Sequence, residues 1–250
     1  MKILVVNVNT TESMTEGIAA AARSAASAGT EIIGVTPTFG AESCEGNVES
    51  HLAALGVMDA VLKHQGDFDA VIQAGYGEHG REGLQELLDV PVIDITEAGA
   101  GLAMFLGRRF SVVTTLDRTV PLIEDRLLLA GLHTHCASVR ASGMAVLELE
   151  NEPERAVAAI TEQAAEAVER DRAEVIVLGC GGMAELANSI VDRCQVPVVD
   201  GVTAAVRLAE SLVGLGLSTS KVRTYAPARP KQMRGWPLGE NAAVSAHEAD

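Results

Sequence analysis

The feature of this sequence that most limits its possible folds is a block that occurs twice. Residues 69–77 (DAVIQAGYG) precede a helical pattern and then VPVID at 90–94, whereas residues 174–182 (EVIVLGCGG) precede a helical pattern and then VPVVD at 196–200. Apart from one residue of helix length the copies run in parallel, so Gly75 corresponds to Cys180. A repeated strand, turn, helix and strand predicts two similar α/β halves within one chain.

Short apolar stretches rich in β-branched residues alternate with helical patterns along the whole chain. Strands are predicted at 2–6, 31–35, 69–73, 90–94, 109–114, 136–141, 174–178 and 196–200. Helices are predicted up to about 27 and at 48–62, 82–88, 96–106, 119–130, 153–170, 183–192 and 202–214, the first with a capping box at Ser13 and Glu16. This alternation indicates an α/β protein with parallel sheets. We expect two pseudo-symmetric halves, each a parallel sheet flanked by helices, with the active site in the cleft between them.

The division of the chain follows from the repeat and from the composition of its end. We predict a first half formed by 1–105 plus 200–225 and a second half formed by 106–199. Residues 226–250 contain three prolines and no apolar periodicity. They are therefore expected to form a loosely held tail.

Bulk composition excludes several classes of protein. Nineteen basic and 34 acidic residues give a net charge of −15, which argues against a nucleic-acid partner. No apolar run is long enough to span a bilayer, and the first predicted strand begins next to Met1, so we expect neither a membrane segment nor a leader. The four cysteines have neither metal-ligand spacing nor a secreted disulfide framework. We expect a cytoplasmic protein without a metal.

Cys180 lies where a predicted buried strand ends and a helix begins. Helix-end amides favour a thiolate and offer free N–H groups to an anionic ligand. In parallel sheets, ligands bind beyond the carboxyl ends of the strands. A cleft between the halves would therefore collect Asn9, the loop at 75–80, the segment 114–119 and Cys180.

Several stretches resemble the aspartate/glutamate/hydantoin racemase superfamily, and its hydantoin and allantoin racemases in particular. The resemblance covers roughly residues 1–225. It rests on ILVVNVNT (3–10), EG (45–46), FSVVTTLDRTVP (110–121), VLGCGGM (177–183) and PVVD (197–200).

The resemblance implies a small-molecule substrate, no cofactor and a homo-oligomer. It also implies two cysteines that face each other across the cleft, one removing the α-proton of a stereocentre and the other returning a proton. Cys180 matches the second cysteine, and backbone amides, here those of Gly181 and Gly182, would stabilise the enolate-like intermediate. The substrate contacts that it implies are Asn9, Thr115 and Thr119, which also suit helix capping.

The first of those cysteines should stand at position 75, where this chain has glycine. Gly75 is either a turn glycine or a way to make space for a larger substrate group. One hypothesis is that His79 replaces the missing cysteine, with Glu78 orienting it and Tyr76 forming a wall of the pocket. The alternatives are an ordinary surface loop, a bound water, or Cys44 in the loop at 36–47; Cys136 and Cys194 are interpreted as packing residues.

Three functions are compatible with this pattern. The first is a cofactor-independent racemase of a hydantoin-type or related compound, with Cys180 as one acid/base. The second is a one-cysteine lyase, because arylmalonate decarboxylase in the same superfamily also has glycine at the first cysteine position. The third is a binding protein that kept the cleft and lost turnover.

Overall fold

The computed structural model describes residues 1–229, except for the side chains at 184–186, 188 and 189. Its strands are β1 (Lys2–Val6), β2 (Glu31–Val35), β3 (Ala70–Gln73), β4 (Val92–Asp94), β5 (Phe110–Thr114), β6 (Cys136–Ala141), β7 (Val175–Leu178) and β8 (Val198–Asp200). Its α-helices are α1 (Glu12–Ala25), α2 (Asn47–Leu62), α3 (Arg81–Leu87), α4 (Ile95–Ala103), α5 (Val120–Leu129), α6 (Glu148–Asn151), α7 (Pro153–Arg170), α8 (Ala187–Cys194) and α9 (Gly201–Gly214). The predicted strands and helices are present, and α6 is an addition to them.

The strands form two parallel four-stranded sheets with the same internal order. One sheet runs β2-β1-β3-β4 and the other β6-β5-β7-β8. The two-half α/β architecture predicted from the repeat is thus confirmed. Each sheet is built from aliphatic strands with few exposed positions, as buried parallel strands require.

The two copies of the repeat have equivalent strand pairings in the two sheets. Gln73 pairs with Val6 in the first sheet, and Leu178 pairs with Val113 in the second. Two residues beyond each pair lie Gly75 and Cys180. These two residues therefore occupy equivalent positions at the carboxyl ends of equivalent strands.

The last helix returns to the first half of the molecule. α9 follows β8 of the second sheet and packs against α1 and α4. Its buried face consists of small and aliphatic residues, among them Val202, Ala205 and Val206. The domain limits at 105 and 200 remain a prediction, and most of the predicted tail, 230–250, lies outside the described residues.

Two local predictions were wrong. Helix α1 begins after Thr11 without a capping box, because the side-chain oxygen of Asn9 accepts the Thr11 N–H at 3.0 Å, while Ser13 donates to Glu150. After Cys180 the chain first forms a 3-10 helix (Gly181–Leu186), and α8 starts only at Ala187.

In the part of the chain that the structure describes, no helix combines the length and apolar character needed to cross a bilayer.

Candidate active site

A cleft of about 500 Å³, including its open part, lies at the carboxyl ends of both sheets. The structure brings all nine residues that the sequence predicted for the site into its walls: Asn9, Gly75, Tyr76, His79, Thr115, Thr119, Cys180, Gly181 and Gly182. The loops of the two halves also meet here, since the Val146 N–H donates to a carboxylate oxygen of Glu45 at 2.8 Å.

Cys180 caps the 3-10 helix that starts at Gly181, with an extended backbone conformation. Burial raises the pKa of its thiol to about 11, and the backbone amide of Gly182 opposes this increase only in part. The sequence suggested that helix-end amides would favour a thiolate at Cys180. In the structure they do not lower the pKa enough for the thiol to ionise at neutral pH. Its ground state is a protonated thiol, which is suited to donating a proton.

Gly75 faces Cys180 only as backbone, because another side chain fills the space beside it. A Cβ atom added at position 75 would lie 2.5 Å from Cγ1 and 2.8 Å from Cγ2 of Val8, and 2.9 Å from Nε2 of Gln73. Such distances are shorter than van der Waals contact. A cysteine at this position would require Val8 to move.

His79 is buried in the wall of the cleft, where its Nε2 lies 3.4 Å from the hydroxyl of Ser50. Burial lowers its pKa to about 4, with Arg126 adding to the effect while the carbonyl of Gly77 and Asp94 oppose it. The imidazole is therefore neutral at physiological pH. The pKa of His79 thus lies below the near-neutral range that the hypothesis assumed, and Glu78 hydrogen-bonds to other groups; the catalytic role of His79 stays a prediction.

Glu78 binds groups other than the imidazole of His79. Its Oε1 accepts the Gly80 N–H at 2.8 Å, and its Oε2 accepts a hydrogen bond from Nη1 of Arg126 at 3.2 Å. Burial and a hydrogen bond with Glu82 raise the pKa of Glu78 to about 7, although Arg126 and the Gly80 amide oppose the shift. Glu78 is thus a carboxyl group with a near-neutral pKa; it adjoins His79 in the chain but does not itself line the cleft.

Cys44 also lines the cleft, and it is the other cysteine in its walls among the described side chains. Its thiol donates to the carbonyl oxygen of Val8 at 3.2 Å. Burial, followed by the charges of Glu49, Cys180 and Glu45, raises its pKa to about 12. A thiol held in this way is a poor base at neutral pH.

The remaining predicted residues supply polar groups to the cleft. Asn9 accepts hydrogen bonds from Asn7 and Thr11 through Oδ1, while its Nδ2 points to the weakly accepting sulfur of Met14 at 3.4 Å. Nδ2 is therefore available to a ligand carbonyl. Thr119 stands at the start of α5, but its hydroxyl donates to the Leu116 carbonyl at 2.7 Å and accepts no N–H of that helix, so its side chain does not act as the predicted cap.

Tyr76 forms a wall of the cleft, as the sequence suggested, and its ring packs against the core of the molecule. Its hydroxyl is buried without a hydrogen-bond partner among the described residues. Burial raises its pKa well above the usual value, and the nearby Asp200 and Asp94 add to the shift. The phenol is therefore neutral and is not a candidate base.

Sequence reasoning missed the buried Arg126 and the carboxylates around it. Arg126 comes from α5 of the second half and binds Glu78, Glu82, Asp94 and Glu97 of the first half. In the sequence it looks like one charge on an amphipathic helix, so only long-range contacts identify it. Among the side chains that the structure describes, no group of His, Cys, Asp and Glu is arranged to hold a metal ion.

Comparisons with known proteins agree on one family. The model of the Asp/Glu/hydantoin racemase family matches residues 3–209. A curated hydantoin racemase from Pseudomonas sp. (strain NS671) is 41% identical over 236 residues, which cover 94% of this chain and 95% of that protein.

Solved structures extend this similarity. The allantoin racemase from Pseudomonas fluorescens is 71% identical with a TM-score of 0.93, over 94% of this chain and 100% of that chain. The allantoin racemase from Klebsiella pneumoniae is 41% identical with a TM-score of 0.91, over 96% and 99% respectively. Arylmalonate decarboxylase, at 19% identity and a TM-score of 0.57 over 85% and 92%, shares the fold alone.

Proposed function

Since this chain belongs to the Asp/Glu/hydantoin racemase family, we propose that it racemises allantoin or a closely related hydantoin-type compound without a cofactor. Its hydantoin and allantoin racemase homologues indicate an isomerase. Two observations carry the proposed mechanism: Cys180 presents a protonated thiol in the wall of the cleft, and Glu78, a carboxyl group with a near-neutral pKa, stands in the loop between the wall residues Tyr76 and His79.

On one face of the substrate, Cys180 is the proton donor. Racemisation needs an acid on one side of the stereocentre and a base on the other, and a thiol with a pKa of about 11 is in the acid form. Once it gives up its proton, the thiolate lies next to the Gly182 amide, which favours the anion. Cys180 then serves as the base when the opposite enantiomer reacts.

On the other face, Glu78 is our candidate base. His79 is neutral with a pKa of about 4, and Cys44 is protonated with a pKa of about 12, so each is poorly matched to proton exchange near pH 7. The pKa of Glu78, about 7, is matched to it. Glu78 faces Arg126 in this structure, and we propose that its half-exposed side chain turns from Arg126 toward the substrate. His79 then acts as a neutral wall of the pocket.

The proton count is conserved in this scheme. The Glu78 carboxylate takes the α-proton as the C–H bond breaks, and its electrons move into the adjacent carbonyl to form an enolate. The Cys180 thiol then gives its proton to the opposite face of the same carbon. The products are the other enantiomer, a protonated Glu78 and a Cys180 thiolate, and turnover of the other enantiomer restores the starting state.

Polar groups around the cleft are suited to holding the substrate and the enolate. The Nδ2 of Asn9 has only a thioether partner, so it is free to donate to a ring carbonyl. We propose that the backbone amides of Gly181 and Gly182 face the developing oxyanion, where such donors stabilise charge. Gly75, Thr115 and Thr119 contribute shape and contacts at the carboxyl ends of the strands.

The test follows deuterium entering the stereocentre of enantiopure allantoin in heavy water by proton NMR. We expect the wild type to exchange this proton, and Cys180→Ser and Glu78→Gln to lose about 10²–10⁴-fold of the rate, the usual range for a general acid or base. His79→Asn and Cys44→Ser serve as cleft controls and should stay within about tenfold of the wild type.

Two results would contradict the proposal. Full activity of Cys180→Ser would remove the cysteine mechanism, and a loss in His79→Asn without a loss in Glu78→Gln would move the second role to His79. The decarboxylase alternative makes a separate prediction, carbon dioxide release from disubstituted malonates. The binding-protein alternative predicts ligand affinity without any exchange.

A further inference from the structure

Six charged side chains form a cluster that joins the two halves. Its members are Glu78, Arg81, Glu82, Asp94, Glu97 and Arg126. Its centre is Arg126, which is 2% exposed. Nε and Nη2 of Arg126 donate to one oxygen of Asp94 at 3.1 and 2.7 Å, and Nη2 also donates to Glu97 at 2.8 Å. Arg81 adds contacts to Glu82, Asp94 and Glu97. The buried guanidinium of Arg126, from the second half, thus forms ion pairs with several carboxylates of the first half.

Glu78 has the weakest hold on this cluster. Nη1 of Arg126 is shared, and it lies 2.6 Å from a carboxylate oxygen of Glu82 but 3.2 Å from Glu78. The side chain of Glu78 is 52% exposed, against 2% for Arg126. If the Glu78 carboxylate moves away from Arg126, Nη1 still donates to Glu82, and Nε and Nη2 still donate to Asp94 and Glu97. Its departure therefore does not leave a buried charge unpaired, which is the costly case.

Glu82 is the carboxylate nearest to Glu78, because both bind the same nitrogen of Arg126. Building on the proposed role of Glu78 as the second acid/base, we propose that Glu82 is its positioning residue. Held by Nη1 of Arg126, Glu82 shares a proton with Glu78, keeps it beside the cleft and sets the pH at which Glu78 becomes a base.

The charges around Glu78 are consistent with a shared proton. Glu82 from α3, Arg126 from α5 and the Gly80 amide of the same loop face the carboxyl group directly. Arg81, Asp94 and Glu97 lie one contact farther away. With all four carboxyl groups ionised, two arginines would face four negative charges, so retaining one proton relieves repulsion. We assign this proton to Glu78, because Nη1 of Arg126 lies closer to Glu82, at 2.6 Å, than to Glu78, at 3.2 Å. Against the effect of burial, the guanidinium thus favours the ionised form of Glu82 and lowers its pKa.

The test compares Glu82→Gln with Glu97→Gln in the full-length chain. Each substitution removes one negative charge from Arg126, but Glu82 shares Nη1 with Glu78 and acts on its pKa, whereas Glu97 binds Nη2. Removing the adjacent anion favours ionised Glu78, so the acid limb of the pH profile of kcat/KM should move to lower pH by about one unit in Glu82→Gln. The limb should move by less than about a third of that in Glu97→Gln, because its charge is farther away.

A second measurement does not depend on activity. The ¹³C shift of the Glu78 carboxyl group, titrated in the Cys180→Ser background, should show the same lowering of its midpoint in Glu82→Gln and little change in Glu97→Gln. Equal movement in both variants, or none in Glu82→Gln, overturns the positioning role. If Glu78→Gln keeps its exchange activity, the proposed function fails instead; if Glu78→Gln is inactive while Glu82→Gln leaves limb and midpoint unmoved, only the positioning role fails.

Discussion

The two halves share one strand order and one register, yet they use equivalent positions in opposite ways. In the second half, Cys180 projects a thiol into the cleft, and Thr115 stands two residues beyond the paired Val113. In the first half, the equivalent residues are Gly75 and Val8, and the methyl groups of Val8 occupy the space that a side chain at 75 would need. Val8 therefore closes the first cysteine position, which is why we look for the second acid/base in the loop that follows.

The same contrast applies to the aspartates that end β4 and β8. Asp94 and Asp200 both cap the next helix, accepting the N–H of Glu97 and of Thr203 at 2.8 Å. The second oxygen of Asp94 binds Arg126, whereas the second oxygen of Asp200 has no partner within the described residues. Burial raises the pKa of Asp200, and the Thr203 and Val202 hydrogen bonds oppose this only in part. In the first half, the negative charge of Asp94 forms an ion pair with buried Arg126. In the second half, Asp200 has no such partner within the described residues.

The largest expected effect separates these aspartates. Asp94→Asn keeps the cap but turns an amide or a neutral oxygen toward buried Arg126, so we expect a loss of roughly 3–5 kcal/mol in the free energy of unfolding. Asp200→Asn should cost under about 1 kcal/mol, because asparagine caps as well as aspartate. Urea denaturation of both variants measures the difference, and equal losses would contradict the asymmetry.

The next effect concerns His79, for which the second half has alanine at the matching position, 184. The folded protein holds the imidazole neutral down to a pKa of about 4, whereas an unfolded chain binds that proton near 6.5. Stability from this residue is therefore present above pH 6.5 and is lost as the pH falls toward 4. The loss amounts to about 3 kcal/mol, from about 1.4 kcal/mol per pKa unit.

Chemical denaturation from pH 7.5 to 4 measures this term as the difference between the wild type and His79→Asn. Other titrating groups cancel in that difference, so the variant should lose less stability on acidification. Parallel curves would mean that His79 does not stay neutral in the folded state.

The smallest effect tests whether Val8 closes the first cysteine position. Gly75→Ala introduces the Cβ that meets Val8, and we expect a cost of about 1–3 kcal/mol from overpacking. Val8→Ala removes both methyl groups, so Gly75→Ala and Gly75→Cys should each cost less in the Val8→Ala background. A double-mutant cycle by urea denaturation measures this coupling, and strict additivity would argue against the steric explanation.

Most of the fold was predictable because its signals are local. Strands such as 2–6 and 175–178 are short runs rich in β-branched residues. The segments VPVID and VPVVD predict the second strand in each copy of the repeat. The repeat also related Gly75 to Cys180, which the registers then reproduced. The start of α1 was mispredicted because the Ser13 hydroxyl, which a capping box would direct to the Glu16 amide, instead donates to Glu150, a residue far away in the chain.

The site was predictable as a set of positions but not as a set of protonation states. Residues that follow strand ends had to converge, so Asn9, Thr115 and Cys180 could be found from the sequence. Burial lowers the pKa of His79, whereas burial and the contact with Glu82 raise the pKa of Glu78 against the opposing effect of Arg126. Arg126 lies 48 residues after Glu78 in the chain, so no local pattern connects them.

The return of α9 to the first half has a consequence for the order in which the molecule can be completed. During synthesis, β1 to α4 are complete at Ala103, well before the helix at Gly201–Gly214 that covers α1 and α4 leaves the ribosome. The second sheet, in contrast, has all its strands by Asp200. We therefore expect the N-terminal part of the chain to keep apolar helix faces uncovered until translation is nearly finished, and to be the part that depends on chaperones.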